Sequence, residues 1–258
     1  MHQFVTLLPM VFLLLLAGCN NPESTTEAQQ AEASADDQLF FASLNRAIHQ
    51  GQYDGTITLG NLKKHGTLGV GSSARLAYEL VLVDGIAYGI PADGKVYELP
   101  DTTQIPFAAI KHFRPEQKLV LNRSVTLQEL EVYLDSVLTR NTFAALKVSG
   151  RFSKLKYRSF NPQQPPYKST EQVPDVLFER ENLTIDMVGF FTPESAEVLN
   201  SPVYHFHFVD EGRTTGGHVL NGVAEQVTIE IDYASGLQVQ LPDPKLLQHL
   251  DLNKPINE

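Results

Sequence analysis

The chain has 258 residues, and its 30 acidic against 20 basic side chains give a formal net charge of -10, which argues against nucleic acid as a partner because phosphate binding requires a basic surface. With 42% hydrophobic residues it can bury the core of one substantial domain or of two intimate lobes. A single cysteine excludes an internal disulfide, so the fold must rest on burial and hydrogen bonding even outside the cytoplasm.

Residues 7–16 form an apolar run too short to span a bilayer as a stable helix but the right length for the core of a signal peptide. It ends in Leu16-Ala17-Gly18-Cys19, the pattern at which a bacterial lipoprotein leader is cut before a cysteine that is then lipidated. The expected organisation is a leader at 1–18, then lipidated Cys19 with a flexible tether at 19–38. That arrangement predicts export and lipid anchoring to the bacterial cell envelope. The opening residues, Met1-His2-Gln3-Phe4, carry no Lys or Arg, which departs from the usual leader. Residues 20–38 offer no large apolar side chain, so burial cannot offset the entropy of ordering them.

Beyond the tether, Asp36 or Asp37 can cap a helix over 39–49, where Phe40, Leu44, Ala47 and Ile48 recur at helical spacing and Gly51 stops the run. Residues 80–83, the turn Asp84-Gly85 and residues 86–88 read as a hairpin, and 95–99 follows a second turn at Asp93-Gly94. Thr126 and Glu129 make a capping box for a helix whose Leu127, Leu130, Leu134, Val137 and Leu138 form an apolar stripe. Further strands are predicted at 107–113, 143–149, 151–157, 184–191, 203–209, 227–231 and 237–241, with a proline-rich loop at 161–166. Many strands and few helices predict an α+β fold with antiparallel or mixed sheets. The domain would run over 39–258, with possible lobes at 39–140 and 141–258.

The chemistry concentrates in Tyr204-His205-Phe206-His207-Phe208 and in Gly216-Gly217-His218. In a strand, alternate side chains share a face, so His205 and His207 project together with the aromatic rings behind them. Such a pair can be no more than a hydrogen-bonded core pair. A strand returning through two glycines can bring His218 beside it, and three imidazoles with open positions describe a catalytic zinc or similar divalent ion.

Around these residues the order of motifs is long. It comprises Gly66, Gly69 and Gly71 before Ser72, then Glu79-Leu80-Val81 with Asp84-Gly85, Pro106-Phe107-Ala108, Asn141 to Ala145, Gly150-Arg151-Phe152, Arg158-Ser159, and Val188 to Pro193 ahead of the histidine strand. The series resembles the acetolactate decarboxylase family from about Tyr53 nearly to the end. The resemblance implies that family's two-lobed fold, a homodimer, and zinc on His205, His207 and His218. It also implies conversion of 2-acetolactate to acetoin and carbon dioxide without an organic cofactor. A family arginine matches Arg158, which would grip the substrate carboxylate. A family glutamate matches Glu79, which would deliver a proton, and Glu258 is the late candidate for a second glutamate at the metal.

Without the resemblance, Glu79 would read as a structural or edge carboxylate and Arg158, after Lys154 and Lys156, as part of an exposed basic face. Two departures from the family stand out. Ala77-Tyr78 replaces the usual Asp-Gly, so that a phenol is placed where it can narrow the cleft, and Ser72 stands for a threonine. Tyr78, together with a chain that ends at Glu258, points to another small oxo or hydroxy acid as the alternative substrate, and a non-catalytic metal-binding lipoprotein is the reading if Glu79 and Arg158 stand away from the metal. His49, His65, His112 and His249 lack partners at ligand spacing and read as ordinary histidines.

Overall fold

The computed structural model describes Ser34 and residues 37–256. The leader, Cys19 and Glu258 lie outside the described residues. Among the described residues no helix is long and apolar enough to cross a membrane.

The first sheet has seven strands in the spatial order Gly236–Gln240, Gln38–Ala42, Phe107–Lys111, Leu68–Ser72, Glu79–Val83, Ile86–Ile90 and Tyr97–Glu98. Only its first pair is parallel, so the sheet is mixed and the predicted α+β class holds. The hairpin turning at Asp84-Gly85 is as read. The helix expected over 39–49 is corrected: Gln38–Ala42 is a strand and only Asn45–His49 is helical. Leu39, Phe40, Phe41 and Ala42 are all buried, because a strand with neighbours on either edge and layers on both faces takes a continuous apolar run. Leu68–Ser72, unassigned from its glycine-rich sequence, is buried at every position for the same reason.

The second sheet is built from four long strands, Phe143–Phe160, Asp175–Thr192, Val203–Asp210 and Gly216–Ala234. Its last strand pairs with both Phe143–Phe160 and Val203–Asp210, which closes the sheet on itself. The strands expected at 143–149 and 151–157 are one continuous strand of 18 residues. Gly150 does not break it, because at φ +148 it lets the backbone of Gln226 approach where a Cβ would collide. The strand expected from residue 184 starts at Asp175, in a stretch whose exposed Glu179, Arg180 and Glu181 hide the strand pattern.

Between the sheets, Leu39, Phe41, Val70 and Val81 pack against Ala145, Val188, Phe190 and Val209. Lys111 crosses this layer, its Nζ 2.7 Å from Asp232 Oδ1 with both side chains buried. The capping box at Thr126 and Glu129 is formed, and helix Leu127–Val137 buries Leu127, Leu130 and Leu134 against the second sheet. Full burial of Leu130 and Leu134 contributes roughly 1.5–3 kcal/mol each.

Candidate metal centre

The histidine strand, Val203–Asp210, turns His205 and His207 to one face, while Phe206 and Phe208 enter the apolar core on the other. His218 enters from the return strand in register with His207. Gly217 makes this possible, since at φ +148 it brings the return strand so close to Arg158 that a Cβ would lie 2.7 Å from the Arg158 carbonyl oxygen. The predicted trio therefore converges, with its ligand atoms all within 4.8 Å of one another.

Neighbouring groups fix the protons on two of the rings. His205 Nδ1–H donates to Asn200 Oδ1 at 2.9 Å, and the Asn200 amide donates in turn to Thr192 Oγ1. His207 Nδ1–H donates to the Leu80 carbonyl at 2.9 Å. Each ring then presents an unprotonated Nε2, yet these two nitrogens stand 3.1 Å apart, and His207 Nε2 is also 3.1 Å from His218 Nδ1. Lone pairs facing each other at this distance call for a cation between them. Tetrahedral coordination with bonds of roughly 2.0–2.1 Å separates its nitrogens by roughly 3.3 Å, so the donor set fits a zinc-like ion. Burial holds His205 and His218 well below the ordinary imidazole range and His207 down to about 3, so all three rings are neutral at physiological pH and could serve as ligands.

Glu79 opens the strand that supplies Leu80 and lies 3.7 Å from His207 Nε2. Among the described residues its Oε1 is buried without a hydrogen-bond partner, and burial pushes its carboxyl up to about 7 against the opposing pull of Arg158. Arg158 is in register with His218 on the neighbouring strand. Its Nη1 bonds Asp175 Oδ1 at 3.1 Å and its guanidinium lies 4.9 Å from the centroid of Phe160, while Nε is buried and has no partner among the described residues. Glu79, Arg158 and the three histidines line one inner cavity of about 60 Å³. An outer cleft of about 640 Å³ shares Arg158, His205 and His218 with it.

Ser72 lines the inner cavity. Tyr78 does not: it alternates with Glu79 along the chain and packs against the core on the far face of the first sheet, beside Phe40 and Leu80. Glu258, named for the metal, lies outside the described residues. Two members of the site escape sequence reading. Asn200 orients a ligand from a loop with no motif of its own, and His49, read as an ordinary histidine, lines both the inner cavity and the outer cleft. His65 stacks on Phe40, as an ordinary histidine does.

Fold and site together define a β-rich enzyme class with a three-histidine cluster suited to one metal ion in a cavity of mixed lining. The family model for alpha-acetolactate decarboxylase matches residues 39–254, and the chain belongs to that metal-dependent enzyme family. An alpha-acetolactate decarboxylase of Methanosarcina mazei is 34% identical over 252 residues, which cover 93% of this chain and 88% of the relative. One from Brevibacillus brevis is 33% identical over 235 residues, covering 90% and 82%. The crystal structure of alpha-acetolactate decarboxylase from Bacillus subtilis strain 168 matches with a TM-score of 0.80 at 30% identity, covering 84% of this chain and 94% of that one.

Proposed function

We propose that the chain decarboxylates 2-acetolactate to acetoin and carbon dioxide, with zinc or a similar divalent ion on His205, His207 and His218. The observation that carries this reading is the apposition of the unprotonated Nε2 atoms of His205 and His207 at 3.1 Å, with His218 Nδ1 at the same distance from His207 Nε2, beside a buried carboxyl and a guanidinium. A divalent ion there would act as a Lewis acid toward the hydroxyl and ketone oxygens of the substrate. Arg158, braced by Asp175 and the Phe160 ring, holds the substrate carboxylate and orients the bond that breaks. Glu79 supplies the proton that replaces the departing carbon dioxide, from one side of the cavity only, which makes the product chiral. Because Tyr78 faces away from the cavity, its departure from the family pattern leaves room for the family's substrate.

The test is acetoin formation by the full chain, with metal content measured alongside. Arg158→Ala is expected to lower kcat/KM about a hundredfold at unchanged metal content, the scale of a lost charge-assisted carboxylate grip. Wild-type protein that holds the ion and yields no acetoin would overturn the reading. The same reading includes export and lipidation of Cys19, checked by the mass of the mature N-terminus.

The homodimer that the resemblance implies has support at one edge of the first sheet. Strand Gly236–Gln240 is an outer strand, and Leu237, Val239 and Leu241 are 42%, 38% and 57% exposed. Gln240 accepts from the Ser43 N–H, so the main-chain groups of the odd-numbered residues point outward. Leu237-Gln238-Val239-Gln240-Leu241 reads the same in both directions and is uncharged, so two copies can pair antiparallel about Val239 without repulsion. Val239→Lys, which sets two ammonium groups face to face, is expected to give a monomer by sedimentation. A dimer indifferent to that change places the contact elsewhere.

A further inference from the structure

We infer that Leu76, with Ile48, Phe107 and Phe160, forms an alkyl subsite that restricts the cavity to acids with methyl-sized substituents. The inference deepens the decarboxylase reading and rests on it for placing the acid beside Arg158. The four side chains come from separate parts of the chain. Ile48 lies in helix Asn45–His49, Leu76 in the connection between strands Leu68–Ser72 and Glu79–Val83, Phe107 opens its strand, and Phe160 ends the strand that carries Arg158. All four are buried, pack in one apolar cluster and line the inner cavity together with Glu79 and the three histidines. The Arg158 guanidinium sits over the Phe160 ring, so the apolar wall begins where the carboxylate grip ends.

Leu76 is held against its own backbone preference. Its φ is +55, in the left-handed region that bulky residues avoid, and Arg75 before it is at +64. Among the described residues it is the one apolar side chain at positive φ. Three main-chain hydrogen bonds fix the pair: Arg75 N–H donates to the Tyr53 carbonyl at 2.9 Å, Leu76 N–H to the Ser73 carbonyl at 3.1 Å, and Gln163 N–H to the Arg75 carbonyl at 2.7 Å. Glycine or asparagine would take this conformation with less strain, so a leucine kept in it at a cavity wall points to a task for its side chain. That task follows from size. The inner cavity of about 60 Å³ has room for roughly five waters, so one methylene more or less against this wall decides the fit. The alkyl parts of 2-acetolactate are methyl groups only.

Calorimetry on the metal-loaded full chain reads that fit without turnover. The probes are 2-hydroxyisobutyrate and 2-ethyl-2-hydroxybutyrate, which has an ethyl group in place of each methyl. Wild-type protein is expected to bind the methyl acid at least about tenfold more tightly, the scale of one misfitted methylene. Leu76→Ala, by admitting the ethyl groups, should bring the two acids within about twofold of each other. Leu76→Gly, which suits φ +55, serves if the alanine variant fails to fold. Leu62→Ala is the control: Leu62 is likewise buried but belongs to another cluster and does not line the inner cavity, so the wild-type ratio should persist. Wild-type protein that binds the acids alike, or binds neither, overturns the inference. So does a Leu76 variant with an unshifted ratio, or Leu62→Ala shifting it as far. Turnover is assayed separately: wild-type protein that ranks the acids as expected yet makes no acetoin retains the subsite and loses the decarboxylase reading.

Discussion

Replacing Glu79 by glutamine is expected to lower acetoin formation by roughly 10²–10⁴-fold, the contribution of a positioned general acid, while the metal content stays at the wild-type level. The two side chains have the same length and shape, so the cavity keeps its walls. The change also leaves in place the Nδ1–H bonds that orient two of the rings, from His205 to Asn200 and from His207 to the Leu80 main chain. What disappears is the transferable proton, because an amide at this position cannot release one. Stability gives an internal control. The carboxyl is buried and its Oε1 has no partner among the described residues, so a neutral amide relieves a desolvation cost and the melting temperature should not fall. Activity of Glu79→Gln within tenfold of wild type would remove the carboxyl from the chemistry, whatever its distance to the metal ligands.

Much of this site is legible in sequence because strand geometry transmits it directly. The two-residue period of a strand puts His205 and His207 on one face from spacing alone, and the glycines before His218 announce a close return. The capping box at Thr126 is equally local, since its two reciprocal hydrogen bonds lie within one turn of chain. Residues whose meaning depends on distant partners are harder. Glu79 meets His207 across 128 positions of chain and Arg158 meets His218 across 60, so each looks like an ordinary surface charge until a family pattern is recognised. His49 and Asn200 had no such pattern to promote them. The misread helix over 39–49 has a related cause: an apolar run buried on every side has no polar face, and periodicity then carries no information about which element forms. Gly150 shows the converse, a residue that normally punctuates a strand placed where only the lack of a side chain lets two strands meet.

The largest effect on stability is expected at the buried pair between the sheets. Lys111 and Asp232 are 0% and 1% exposed, and their charged atoms are 2.7 Å apart. Asp232 also accepts the Arg114 N–H at 2.7 Å through its second oxygen. Lys111 belongs to a central strand of the first sheet and Asp232 to the return strand of the second, so the pair joins the two layers at a fixed register. Lys111→Met preserves most of the volume but leaves a carboxylate in an apolar layer with a main-chain donor and without its ammonium partner. The cost of such an orphaned charge is about 3–5 kcal/mol, which is a large share of the stability of a single domain. Removing both charges, as Lys111→Met with Asp232→Leu, takes away the orphan as well as the attraction, and is expected to recover most of the loss. Chemical denaturation of the three proteins measures the difference. A single variant that loses less than about 1 kcal/mol would mean that water or rearrangement reaches this layer. A double variant as unstable as the single one would mean that the pair specifies how the sheets register, and that apolar packing cannot replace it.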